Sequence, residues 1–311
     1  MAEDRAEPGG VPGRGRGKTV RQVAIAVFAL LLVTLSIALY LDERSSGQAS
    51  TQVGTPGGLG WVEFVVTAQK VDPGGQDVTL SVIPVPHGTL AQEPGSPVFE
   101  RTVEVTTTSL SKPSFRVAAG APTGQQKLSV GLYGDTVTDY PFDRYSMVVG
   151  LAATVDGRPL PVMMTFRDVD PFFVVKPRND PRTVPDHVTL DADVARSRST
   201  FILAWFMMAA MWALALAVLG GARVLLLKRP GIVWPALGWM AATLFALVSM
   251  RNAAPGNPPI GSIMDYLAFF WAEALIAVSL TITVATGIRT ELKPTATTPT
   301  PETPAPGTPD S

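Results

Sequence analysis

The chain has no cysteine and only two histidines in 311 residues. Without cysteine there are no disulfides, no thiolate metal site and no cysteine nucleophile, so any part outside a membrane must hold itself together by packing. Charge is scarce too. Only 16% of residues are charged and the net charge is −1, which gives no basic field to attract nucleic acid and no acidic surplus to attract a basic partner. Also missing are H-E-x-x-H, G-x-S-x-G, a Walker loop and a dinucleotide fingerprint, so no cofactor is expected and the chain reads as non-enzymatic. His87 and His187 stand apart from any nucleophile in sequence. A hydrolase would need folding to bring His187 and its neighbouring aspartates to a serine, within hydrogen-bond reach.

What the chain does have is apolar text, 46% of its residues. Four runs, Val23–Leu41, Phe201–Leu219, Ile232–Met250 and Tyr266–Ile288, approach the ~20 residues a helix needs to cross about 30 Å of hydrocarbon. The expected fold is therefore a membrane α plus all-β protein. One helix (23–41) precedes a long polar stretch, and three more (199–219, 232–250, 266–288) follow it. The first run comes after Arg5, Arg14, Arg16, Lys18 and Arg21 and is too long for a signal-peptide core, so it reads as an uncleaved anchor. Counting Lys and Arg near the helix ends places the basic tail (1–22), the Arg223/Lys228/Arg229 turn and the tail from 289 on the cytoplasmic side. Residues 42–198 and the Pro-rich loop 251–265 are then external. The final Pro- and Thr-rich stretch, 289–311, cannot build a core and reads as disordered.

Between the runs, 42–60 reads as a Ser-, Gln- and Gly-rich tether. Residues 61–198 form an external β domain. WVEFVVTAQK, QDVTLSVIPV, PVFERTVEVTT, QQKLSVGLYG and DRYSMVVGLAATV alternate apolar with polar residues, with Pro and Gly clusters between them. That pattern predicts an antiparallel sandwich-like or barrel fold.

Three groups of polar residues stand out. Glu273 lies seven residues past Tyr266, about 10 Å into the last helix. A carboxylate there must face the bundle, be protonated or have a partner. Arg251, ending the third helix on the same outer side, is its expected partner, across the loop Asn252–Met264 stiffened by Pro255, Pro258 and Pro259. The pair can fix helix packing, the reading we prefer, or serve as a relay or counter-charge. Asp265, at the start of the last helix, is a further candidate. The second group is Tyr140-Pro141-Phe142-Asp143-Arg144-Tyr145, an aromatic-packed turn leading into a strand or an interfacial anchor at headgroup level. The third is the crowd of Asp168, Asp170, Asp186, Asp191 and Asp193. On a strand, Asp191 and Asp193 would share a face and could take a divalent cation, but no calcium-loop spacing is present. We therefore expect a solvated acidic edge balancing Arg196 and Arg198, and no metal.

The Tyr-Pro-Phe-Asp segment resembles the Phe-Pro-Phe-Asp turn of pentameric ligand-gated channels, over four residues and without their flanking cysteines. Together with Arg251-Asn-Ala-Ala-Pro-Gly-Asn-Pro-Pro-Ile-Gly-Ser-Ile-Met-Asp-Tyr-Leu-Ala-Phe-Phe-Trp-Ala-Glu273, it also makes the chain resemble the actinobacterial membrane proteins grouped as domain of unknown function 4436, from the first helix to about Arg289. That resemblance implies an envelope membrane protein without an assigned activity. The expected partners are the lipid bilayer and an envelope protein, lipid or wall component. A conduit using Glu273 and Arg251 is the alternative, and it would need oligomerisation because four helices enclose little by themselves.

Overall fold

The computed structural model describes residues 50–178, 186–228 and 234–292, together with eight positions between Val23 and Ala38. Those eight are helical and exposed. The rest of the expected first helix lies outside the described residues, as do the N-terminal tail, the first part of the tether and 293–311; the start of the tail expected as disordered, 289–291, instead continues the last helix. Contacts divide the chain into two units, Met1–Ile202 and Leu203–Ser311.

The first unit is built from eleven strands: β1 (Ser50–Val53), β2 (Gly60–Asp72), β3 (Asp77–Gly88), β4 (Val103–Thr107), β5 (Ser114–Val117), β6 (Gln126–Gly134), β7 (Arg144–Val155), β8 (Arg158–Pro159), β9 (Val162–Asp168), β10 (Phe173–Pro177) and β11 (His187–Arg196). Alternation in sequence becomes alternation in space: Val62, Phe64, Val66 and Ala68 of β2 are fully buried, while the residues between them are half-exposed. Facing them in one core are Leu80 and Val82 of β3, Leu128 and Val130 of β6, Met147, Val149 and Leu151 of β7, and Val188, Leu190 and Val194 of β11.

Hydrogen bonds link the strands in the order β1-β9-β2-β3-β6-β7-β11-β10, with β4, β5 and β8 attached beside β7. β6 turns the corner: Gln126–Gly131 pair with β3, and Leu132–Gly134 pair with β7. β11 also runs close to β9 and β1, so the sheet nearly closes on itself as a barrel-like domain. In two places this departs from the expected antiparallel sandwich. β2 and β9 are parallel, Val62 opposite Val162 through Ala68 opposite Asp168. The segment expected as tether contains β1, whose Ser50–Val53 pair antiparallel with Met164–Arg167. β9 therefore sits between β1 and β2, two strands only six residues apart in sequence. The mouth of the β2–β3 hairpin requires glycine: Gly88 has φ +63°, and a Cβ there would lie 1.9 Å from the Leu59 carbonyl oxygen.

The described residues contain three long helices rather than four. They are α1 (Arg198–Lys228), α2 (Trp234–Asn252) and α3 (Phe270–Glu291), the last continuing a π-helical turn at Asp265–Phe269. Two are long and apolar enough to cross a membrane, Arg198–Lys228 and Asp265–Glu291. α2 falls short because it opens on Trp234-Pro235 and ends on Arg251-Asn252. α1 is longer than its apolar run because it continues through Gly220 and Gly221 to Lys228. Gly221 is where Trp239 of α2 comes close; a Cβ would meet its ring at 3.2 Å.

Candidate functional site

The best-built polar cluster in the first unit forms where β11 becomes α1. It begins in the β6–β7 connection. A short turn at Val137–Asp139 is fixed by the Asp139 carboxylate, which accepts the Thr136 N–H (3.1 Å) and hydroxyl (2.9 Å). The chain then passes through a cis Tyr140–Pro141 bond. Tyr140 and Asp143 point inward, 0% and 1% exposed, and Phe142 points out. Antiparallel pairing sets Arg144 opposite Ala195, which brings Asp143 to the side chain of Arg196.

The Arg196 guanidinium grips that carboxylate with both Nε (3.0 and 3.1 Å) and Nη2 (2.9 Å), and the Tyr145 hydroxyl donates to it at 2.9 Å. Two rings flank the cation, Phe173 at 4.1 Å and Tyr140 at 4.9 Å. Among the described residues Arg196 Nη1 is buried without a hydrogen-bond partner, and the ring faces supply its remaining compensation. Burial, then the Asp143 charge, holds the Tyr145 phenol well above its ordinary value, so it stays a donor. Tyr140 and Tyr145 are thus interior residues. Of the three aromatics read as a possible interfacial anchor, Phe142 alone is exposed.

The helix start is tied to the same end of the sheet. Ser197 caps α1 by accepting the Thr200 N–H (3.2 Å), while its own N–H donates to the Phe172 carbonyl (2.8 Å) and the Thr200 hydroxyl reaches that carbonyl too (3.2 Å). Before Phe172 lies a carboxylate knot. Asp170 accepts the N–H groups of Val71, Phe172 and Phe173, and Asp168 accepts those of Asp170 and Val175. Burial raises the Asp168 carboxyl to about 6; its two amide bonds oppose the shift without cancelling it, and the Asp170 charge adds to it. A carboxyl raised by folding stabilises the fold below its ordinary value and loses that contribution as pH rises through its folded value. Asp168→Asn mimics the protonated form at every pH. It is expected to gain stability relative to wild type between about pH 4 and about pH 7, in thermal unfolding of the two proteins side by side. A pH-independent difference would overturn the assignment.

In the second unit, Arg251 is held by Asp265 and not by Glu273. Its Nε and Nη2 reach the two carboxylate oxygens at 2.9 and 2.8 Å, and its Nη1 and Nη2 donate to the carbonyls of Pro258 (3.2 Å) and Pro259 (2.7 Å). Asp265 also accepts the N–H groups of Gly261 (2.8 Å) and Ser262 (3.2 Å) and the Ser262 hydroxyl (3.3 Å). The geometric reason is reach: Asp265 ends the loop that Arg251 begins, whereas Glu273 lies two helical turns further on. Glu273 is half-buried in the first turn of α3, with no hydrogen bond or ion pair among the described residues. Beside it, the π-helical turn presents the Leu267 carbonyl to the Trp212 indole of α1 at 3.0 Å.

The remaining acids and histidines have local explanations. Asp191 and Asp193 do share a face of β11, but the cation between them is Arg178, at 3.2 Å from Asp191 and in direct contact with Asp193. They do not balance Arg196, which belongs to Asp143. His187 contacts Asp186 (3.3 Å), and His87 pairs with Glu63 (2.9 Å) under the stacked ring of Trp61. The other Glu63 oxygen takes the Thr165 hydroxyl at 2.7 Å, so the carboxylate and not the histidine meets the hydroxyl. Neither histidine reaches a serine in these contacts. Among the described residues, no group of three His, Cys, Asp or Glu side chains could hold a metal ion.

None of the curated proteins matches the chain. Residues 196–290 match a family model described as a domain of unknown function (DUF8686). A second family model covers 52–193, so the expected single resemblance from the first helix to Arg289 divides in two just before Arg196. The Pro-Pro-Ile-Gly-Ser and Phe-Trp-Ala-Glu segments fall in the helical match. The β domain, residues 52–193, matches the model of the domain of unknown function DUF4436.

Proposed function

We propose that this is an integral protein of a bacterial plasma membrane, multi-pass with both termini cytoplasmic and residues 42–198 external, whose β domain (61–198) binds a protein, lipid or wall component of the envelope. The reading includes the full one-plus-three arrangement, with 23–41 and α2 as spans beside the two more apolar helices. The observation that carries it is the junction: β11 enters α1 with no linker, and Arg196 is clamped to Asp143 at the last strand residue. A binding module fastened in this way transmits load to its helix, whereas one on a flexible tether would not.

The absence of cysteine makes the topology directly testable. In intact cells, a membrane-impermeant maleimide should label Leu59→Cys in the β domain and not Ser311→Cys in the tail. Labelling of the tail alone, or of both, would overturn the orientation. Partners cross-linked to the full-length protein in native membranes should be lost when the exposed surface of the β domain is substituted. Recovery of none from wild type would count against a binding role.

A second reading, an oligomeric transporter or channel, draws support from Glu273, a half-buried carboxylate in an apolar helix whose expected partner is engaged elsewhere. Glu273→Gln should then reduce ion flux through the reconstituted protein several-fold. Unchanged flux would leave the binding role standing alone.

A further inference from the structure

Turns at the surface of a β domain are ordinarily polar. Three segments at one end of this domain also expose apolar side chains, beside polar ones such as Asp135, Thr136 and Thr138. Phe142 in the β6–β7 connection is 43% exposed, Val169 and Phe172 in the β9–β10 connection are 49% and 40% exposed, and Ile202 in the first turns of α1 is 42% exposed. They share an end because the sheet puts them there: β7 begins at Arg144 opposite Ala195, β10 begins at Phe173 opposite Arg196, and β9 ends at Asp168 opposite Ala68. They are also fixed to the helix start. The Phe142 ring meets Phe201 edge-on at 5.6 Å, and the Phe172 carbonyl holds Ser197 and Thr200.

We propose that this apolar apron is a bilayer-docking surface: Phe142, Val169, Phe172 and Ile202 enter the boundary between headgroups and acyl chains of the outer leaflet and seat the β domain end-on. The proposal rests on the reading of α1 as a membrane span. Its occupant follows from that helix. At 1.5 Å per residue its 31 residues extend about 46 Å, longer than the hydrocarbon layer, so its first turn reaches the interface. Phe142 and Phe172, fixed to that turn, lie at the same level. Phe side chains on interfacial segments bury at the boundary of headgroups and acyl chains, and the exposed Arg144 beside them can carry its charge up to the phosphates. The Asp72–Asp77 turn of the β2–β3 hairpin, at the same end, carries Asp72, Gln76 and Asp77 and stays on the wet side of the boundary.

The chain's lack of cysteine supplies the experiment. Val169→Cys, Phe206→Cys and Leu59→Cys, each at an exposed apolar position, are labelled with bimane. The full-length proteins are then reconstituted into phosphatidylcholine vesicles that carry a nitroxide high on the acyl chain. Leu59 is the control: it is 85% exposed, but it precedes the far end of β2, about 40 Å from Asp72 along the strand. The expected result is quenching at Val169 and Phe206 several-fold stronger than at Leu59, with Val169 shielded from aqueous iodide. Quenching at Phe206 without Val169 would overturn the docking surface and leave the span intact. Quenching at neither would overturn both readings, and equal quenching at all three would rule out an end-on seat.

Discussion

Replacing Asp143 by Ala is expected to destabilise the β domain by about 3–5 kcal/mol, the usual cost of leaving one member of a buried ion pair without the other. The side chains of Asp143 and Arg196 are 0% and 2% exposed, so solvent cannot take the place of the missing carboxylate. The variant would leave Arg196 charged between Phe173 and Tyr140 and would remove the acceptor of the Tyr145 hydroxyl. Asp143→Asn should cost less, because an amide oxygen can still accept from the guanidinium. Asp143→Leu combined with Arg196→Met should recover most of the loss, since a packed apolar pair avoids the desolvation of both charges. Urea unfolding of the full-length protein in detergent, followed by proteolysis of the β domain, reads these differences. If the single Ala variant stays within about 1 kcal/mol of wild type, the pair is not what holds the junction.

The second large effect lies at Asp265. Its carboxylate accepts two bonds from Arg251, two from backbone N–H groups and one from a hydroxyl, and its side chain is fully buried. Asp265→Ala orphans the cation and the Gly261 and Ser262 amides together, with an expected cost again of about 3–5 kcal/mol. Glu273→Ala removes no partner among the described residues and should change stability by less than about 1 kcal/mol. Trypsin separates the two variants in reconstituted vesicles. Arg251 is 6% exposed in the intact fold; cleavage after it should appear in Asp265→Ala and not in Glu273→Ala. The reverse pattern would return Glu273 to the role of Arg251's partner.

The strands legible in the sequence were those with one face buried and one open. β2, β3, β6 and β7 carry the alternation and are bounded by Pro and Gly turns. β9 was hidden because Val162, Met163 and Met164 are all buried, which erases the period of two. β1 was hidden for the opposite reason: as an exposed edge it keeps the polar composition of a tether. The ion pairs followed a similar division. Arg251 was legible as a charge in need of compensation, and depth in the helix pointed to Glu273, but the loop delivers Asp265 together with the amides of Gly261 and Ser262. Asp143 and Arg196 are 53 residues apart, and only the pairing of β7 with β11 brings them together. Nothing local in the sequence encodes that register. Phe142 was legible as a possible interfacial ring, whereas Val169, Phe172 and Ile202 look like ordinary core residues in sequence, because nothing in a single strand-end Phe or Val says which way it faces.

The insertion of β9 between β1 and β2 sets the order in which the domain is assembled during synthesis. β1 and β2 leave the ribosome within a few residues of each other, yet they cannot pair with each other, because the strand that joins them ends at Asp168. At typical elongation rates, the roughly 100 residues after β2 take on the order of five to twenty seconds to make. Throughout that interval the outer edge of β2 stays open, and β1 has no strand to join. A chain whose first helix is already in the membrane would hold that unfinished edge beside the lipid, where stalling or premature pairing with a neighbouring copy is the hazard. Pro84 and Pro86 protect the other side of the same hairpin: β3 runs on beyond Val82, the last residue paired with β6, and a strand without those two N–H groups is a poor template for a stranger.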